Sequence, residues 1–125
     1  MAERIDDFID DDTVGINMDN NVLTIQESGG INSVTFVGLN TKPVATVTIQ
    51  IKVDNSIVAT PTSFVVNNEN EAWEHINQQI DFSAKNGAVS TTAHVICISE
   101  DLKYNTTSTD VSIVVQPLLR TLNIP

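Results

Sequence analysis

From Thr46 to Val53, polar and apolar side chains alternate without a break. Val47, Ile49, Ile51 and Val53 fall on one side of an extended chain, and Thr46, Thr48, Gln50 and Lys52 on the other. Successive side chains on a strand point to opposite faces, so this period specifies a strand with one face buried. A slip of one residue would turn four aliphatics into water, which fixes the pairing register. The Val44–Val53 segment is therefore the clearest strand, and its character recurs along the chain.

Further strands are expected over Gly15–Met18, Val22–Gln26, Val34–Val37, Ile57–Ala59, Ser63–Val66, Ile76–Phe82, Val89–Ser99 and Thr109–Val115. Gly29-Gly30, Asp54-Asn55-Ser56 and Asn86-Gly87 supply turns between them. Pro61 cannot donate to a ladder and fits a strand start or a sheet edge. Val95 to Ile98 is apolar on both faces, as in a central strand. The connection Asn70 to His75 reads as a loop. Seven to nine short strands at spacings of about ten residues predict an all-β fold, a single antiparallel β-sandwich. At 125 residues the chain is one domain with room for one two-layer core. Three parts are expected: an acidic N-terminal arm over 1–13, the sandwich over 14–116, and an apolar tail over 117–125.

Sixteen acidic against six basic residues give a net charge of −10. That surface repels phosphate backbones and carries no basic patch, which argues against nucleic-acid binding. No apolar stretch approaches a membrane span, so membrane insertion is not expected. The acidic start, MAERIDDFIDDD, lacks the apolar run of a secretory signal, and the chain is expected to stay in the cytosol or leave it by assembly or lysis.

Few residues suit catalysis. His94 and Cys97 are three apart on an expected strand and so face opposite ways. His75 follows Trp73-Glu74 on an exposed connection. There is no phosphate loop, nucleophile elbow or zinc spacing. Cys97, the single cysteine, reads as a small buried hydrophobe. Asn105-Thr106-Thr107 fits a glycosylation acceptor and is read as a turn. No catalytic residue and no enzyme activity are expected. Ile5, Phe8 and Ile9 share a helical face in the arm, and Leu118, Leu119, Leu122 and Ile124 crowd the tail. These seven are the candidate partner-docking residues, with other protein subunits or further copies of the chain as the expected partners.

The segments LTIQESGG, VTFVGLNTKPVATVTIQIKV, ATPTSFVVNNENEAW, INQQIDFSA and SEDLKYNTTSTDVSIVV, taken together, resemble a repeated module of large surface proteins. It is similar to the Calx-beta domains and their immunoglobulin-like relatives, across residues 14–116. The points of match are Glu27 with Gly29-Gly30, Asn40 to Pro43, Pro61 to Ser63, Trp73, the Gln78/Ile80/Phe82/Ala84 alternation, and Tyr104-Asn105. The resemblance implies an immunoglobulin-like sandwich with Trp73 plugging the core beside a loop. It also implies calcium, a hard cation that takes several converging oxygens, with Asp10, Asp11, Asp12, Glu27, Asp54, Glu100 and Asp101 as candidate ligands and no other cofactor. The chain departs from the pattern at its C-terminus, where QPLLRTL stands in place of the acidic triplet. Two functions are expected from these readings: a virion decoration or accessory protein docking through its arms at the virion surface, or a repeat of an extracellular or cell-surface adhesin.

Overall fold

The computed structural model describes residues 13–69 and 73–117. Among them are nine strands and no helix. They are β1 (Ile16–Met18), β2 (Val22–Gln26), β3 (Ile31–Leu39), β4 (Val47–Lys52), β5 (Ile57–Thr60), β6 (Ser63–Val66), β7 (Gln78–Ala84), β8 (Thr91–Ser99) and β9 (Ser108–Gln116). Two sheets result, one of five strands in the order β2-β9-β8-β4-β6 and one of four in the order β1-β3-β7-β5. The expected sandwich is present, and β8 is the middle strand of its larger sheet.

The alternation read from the sequence is the burial pattern of the fold. Val47, Ile49 and Ile51 of β4 face inward, as do Ile80, Phe82 and Ala84 of β7 and Val111, Ile113 and Val115 of β9. Phe36 of β3 meets Phe64 of β6 across the layers, edge to face, with centroids 5.0 Å apart and planes at 77°. That arrangement sets the positive ring edge against the negative face of its partner. Trp73 is half-buried against the same core. The Trp73–Glu74 backbone crosses β3 closely: Leu39 N–H donates to Trp73 O at 2.8 Å, and a Cβ on Gly38 would strike the Glu74 carbonyl. Position 38 therefore admits only glycine without rearrangement.

Three features depart from the sequence reading. Pairing is antiparallel except between β2 and β9, which run parallel with Ser112 beside Val22 and Gln116 beside Gln26. The cause is a change of sheet over Asp19–Asn21: β1 pairs with β3 in one layer and β2 with β9 in the other. The short strands β5 and β6 also belong to different layers, and the chain crosses between them at a cis Thr60–Pro61 bond. Finally, β4 begins at Val47 and β8 at Thr91, so Val44 and Val89 are exposed, at 80% and 67%.

Candidate interaction site

The loop after β8 is built around a buried phenol. Tyr104 is fully buried, and its hydroxyl donates to Thr41 O at 2.7 Å while accepting the Thr41 N–H at 2.9 Å. The Thr41 hydroxyl lies 2.8 Å away. One residue type thus fills the end of the core and satisfies the backbone of the β3–β4 connection. Asp101 works alongside. Its carboxylate is 5% exposed and accepts the Val44 N–H at 2.8 Å and the Lys103 N–H at 2.9 Å. A buried carboxylate is costly unless donors surround it, and here they are backbone amides of the two loops it joins. Asn105 accepts the Ser99 N–H through its side chain, and Thr106 turns the chain at φ 72°. The Asn105–Thr107 triplet is therefore a turn within this loop.

Around this lattice lies a cleft of about 320 Å³ lined by Val14, Thr41, Lys42, Val44, Asp101, Lys103 and Tyr104. Leu102, on the adjoining loop, is 85% exposed. On the outer face of the larger sheet nearby, exposed Ile98 and Val65 flank Thr48 in register. Four exposed aliphatics (Val44, Leu102, Ile98 and Val65) therefore gather at one end of the sandwich.

At the opposite end a second buried carboxylate performs a similar task. Glu27, 5% exposed, accepts the Gly87 N–H at 2.6 Å, and Gly87 turns at φ 81°. Here β9 also finishes, Gln116 O accepting the Glu27 N–H. Gly15 O, by contrast, accepts Asn40 N–H beside the Tyr104 loop. The chain therefore enters the described fold at one end and leaves it at the other.

The seven arm and tail residues expected to dock (Ile5, Phe8, Ile9, Leu118, Leu119, Leu122 and Ile124) lie outside the described residues, as do Asp10, Asp11 and Asp12. The remaining candidate calcium ligands divide between the ends: Glu27 belongs to the Gly87 turn and Glu100–Asp101 to the Tyr104 loop, while Asp54 holds its own turn through the Ser56 amide and hydroxyl. Those donors hold the Asp54 carboxyl below its ordinary range, the Ser56 hydroxyl most of all. Among the described residues no three acids, histidines or cysteines converge as a metal site.

His94 is exposed and Cys97 buried, on opposite faces of β8 as their spacing required. Burial pushes the Cys97 thiol up to about 12. His94 Nδ1 instead meets Asp110 across the sheet at 2.8 Å. Asp81 accepts from Ser33 at 2.6 Å and Gln79 at 2.7 Å, and the Gln79 amide, then the Ser33 hydroxyl, lower its carboxyl below the usual range. Neither cross-strand pairing was legible, because each joins residues distant in sequence.

No protein-family model matches this chain, and no curated protein matches it. Solved structures do share its fold. WR4, a member of the MSP family of C. elegans, superposes with a TM-score of 0.58 at 10% identity, over 81% of this chain and 97% of that one. The PapD-like domain 7 of human CEP192 gives 0.57 at 10% identity, over 97% and 95%. The periplasmic chaperone SfaE gives 0.51 at 14% identity, over 89% of this chain and 60% of its own. These likenesses support an immunoglobulin-like β-sandwich fold. They do not extend to the Calx-beta resemblance, which rested on turns and core positions that many such sandwiches share.

Proposed function

We propose that this chain is a non-catalytic protein-interaction module that docks through its Tyr104 end. The observation that supports this reading is the gathering of Val44, Leu102, Ile98 and Val65 around a rigid loop lattice. A preformed apolar patch on a fixed backbone binds without the ordering cost that a mobile loop would carry. The finer reading is a decoration or accessory subunit displayed on a virion or comparable protein assembly, with the terminal arms contributing to the contact. A second reading is favoured by the exits of the chain at opposite ends, which suit a unit strung in series within a large surface protein.

A photo-crosslinking residue at position 102, compared with one at position 89 on the far side, tests the docking end in the producing cell. The expected result is one discrete adduct from position 102 and none from 89. Equal labelling at both positions would remove the proposal. If an adduct forms with assembled particles, the decoration reading holds; if it forms only with a flanking segment of a longer polypeptide, the serial reading replaces it.

A further inference from the structure

Four strands lie at sheet edges: β2 and β6 in the larger sheet, β1 and β5 in the smaller. An edge strand offers unpaired N–H and C=O groups to any extended chain, and folded proteins blunt such edges. Three of these four are blunted. β1 has only three residues and a register shift at Asn17/Met18. β2 is capped from within the chain: Val22 N–H donates to Asn20 Oδ1 at 3.2 Å, Thr24 O accepts the Asn32 side-chain amide at 3.1 Å, and Gln26 O accepts the Gly30 N–H at 3.0 Å. β5 turns Ile57 and Ala59 outward, but Asp54 O takes the Ile57 N–H and Pro61 follows the strand.

β6 has none of these protections. Ile51 N–H donates to Thr62 O at 2.8 Å, and the register then sets Phe64 beside Ile49 and Val66 beside Val47. Backbone groups alternate in direction along an antiparallel strand, so those of Ser63 and Val65 point away from β4. Among the described residues they have no partner. No charge, proline or bulge interrupts Ser63–Val66. The edge is open.

We propose that β6 is the seam of a two-fold dimer, in which the β6 of a second copy of this chain pairs antiparallel with it about Val65. In that register Val65 meets Val65 through its outward N–H and C=O, and Ser63 faces Asn67, so one strand satisfies both sides of the contact. Charge selects a second copy at this place. At a net charge of −10 most of the surface repels another copy, yet residues 62–68 carry no charge. The same register sets exposed Glu69 in line with Pro61 and then exposed Lys52 of the second copy, two strand spacings or about 10 Å away, so opposite charges face each other at both rims. On the inner face the half-buried Phe64 gains Val66 of the second copy as a cover. On the outer face the row Ile98, Thr48, Val65 continues into its own mirror order across the axis. A seam this short is a weak, concentration-dependent contact.

Sedimentation of the isolated protein from about 10 μM to about 1 mM, the range of a weak contact, tests this. The expected result is a mass rising toward the dimer, with exchange of the Ser63 and Val65 amides slowing in parallel. Val65→Lys and Val65→Glu each set like charges directly opposite at the axis and weaken association by about fivefold or more, while an equimolar mixture of the two variants restores it. Unchanged exchange of the core amides verifies that both variants fold. A monomer at every concentration would overturn the proposal, as would a dimer indifferent to both charges or variants that fail to rescue each other. No partner takes part and position 102 is untouched, so a failure here leaves docking at the Tyr104 end standing, and a failure of the crosslink leaves this seam standing.

Discussion

The two ends of the sandwich are secured by the same device and finished differently. At each, a carboxylate 5% exposed accepts backbone N–H groups of a loop: Asp101 at the end where the chain enters, Glu27 where it leaves. The Tyr104 end adds a fully buried phenol bonded to Thr41, two lysines and four exposed aliphatics. The Glu27 end has a tight glycine turn with Ile31 and Val89 exposed nearby. A rigid support is thus common to both, and the surface chemistry laid over it differs. The difference teaches that the buried acids belong to the architecture, while the exposed side chains laid over them vary from end to end.

The largest expected effect falls on the phenol. Truncation in Tyr104→Ala empties a fully buried site and costs about 3–5 kcal/mol of stability, measured by urea unfolding. Tyr104→Phe keeps the volume and strands the Thr41 backbone, costing about 1–3 kcal/mol. A loss below this range in the alanine variant would mean that the loop collapses freely and is no rigid platform.

Asp101→Ala removes the acceptor of the Val44 and Lys103 amides and Glu27→Ala that of the Gly87 amide, and each costs about 1–3 kcal/mol in the same assay. The comparison breaks if one end tolerates its loss and the other does not.

Cys97, buried in the core, provides the pH test. Its folded pKa, about 12, stands above the ordinary 9.0. Stability is complete below pH 9 and falls toward pH 12, because only the unfolded chain releases the thiol proton in that window. Wild type should lose melting temperature relative to Cys97→Ala as pH rises from 9; parallel curves would contradict the burial. The smallest effect is expected at the surface. Val44→Asp shifts stability by no more than about 0.5 kcal/mol while abolishing the position-102 crosslink, and Val89→Asp changes neither.

Much of the fold was legible because strand burial has a short period. Ser63–Val66 and Val22–Gln26 appear with the expected bounds, and the inward residues of β4 and β7 are those the alternation selected. Val44 and Val89 were misread as strand residues because apolar character continues past the ladder, where Val44 donates its N–H to Asp101. The make-up of the Tyr104 end was not legible at all. Ile98 and Val65 come to flank Thr48 only when β4, β6 and β8 lie side by side, and Val44 comes to the Tyr104 loop only through its bond to Asp101. Tyr104 and Glu27 were marked through the family resemblance, and neither could be assigned its backbone partner sixty or so residues away.

Alternation along the chain, acting locally through the opposed faces of each strand, determined by itself that this protein is a two-layer sandwich and which side chains fill it. Which strands share a sheet, the parallel union of β2 with β9, the burial of Asp101 and Glu27, and the gathering of one apolar and basic end were decided only by tertiary structure. These depend on contacts between residues far apart in sequence, and a period of two residues carries no record of which distant strand lies alongside.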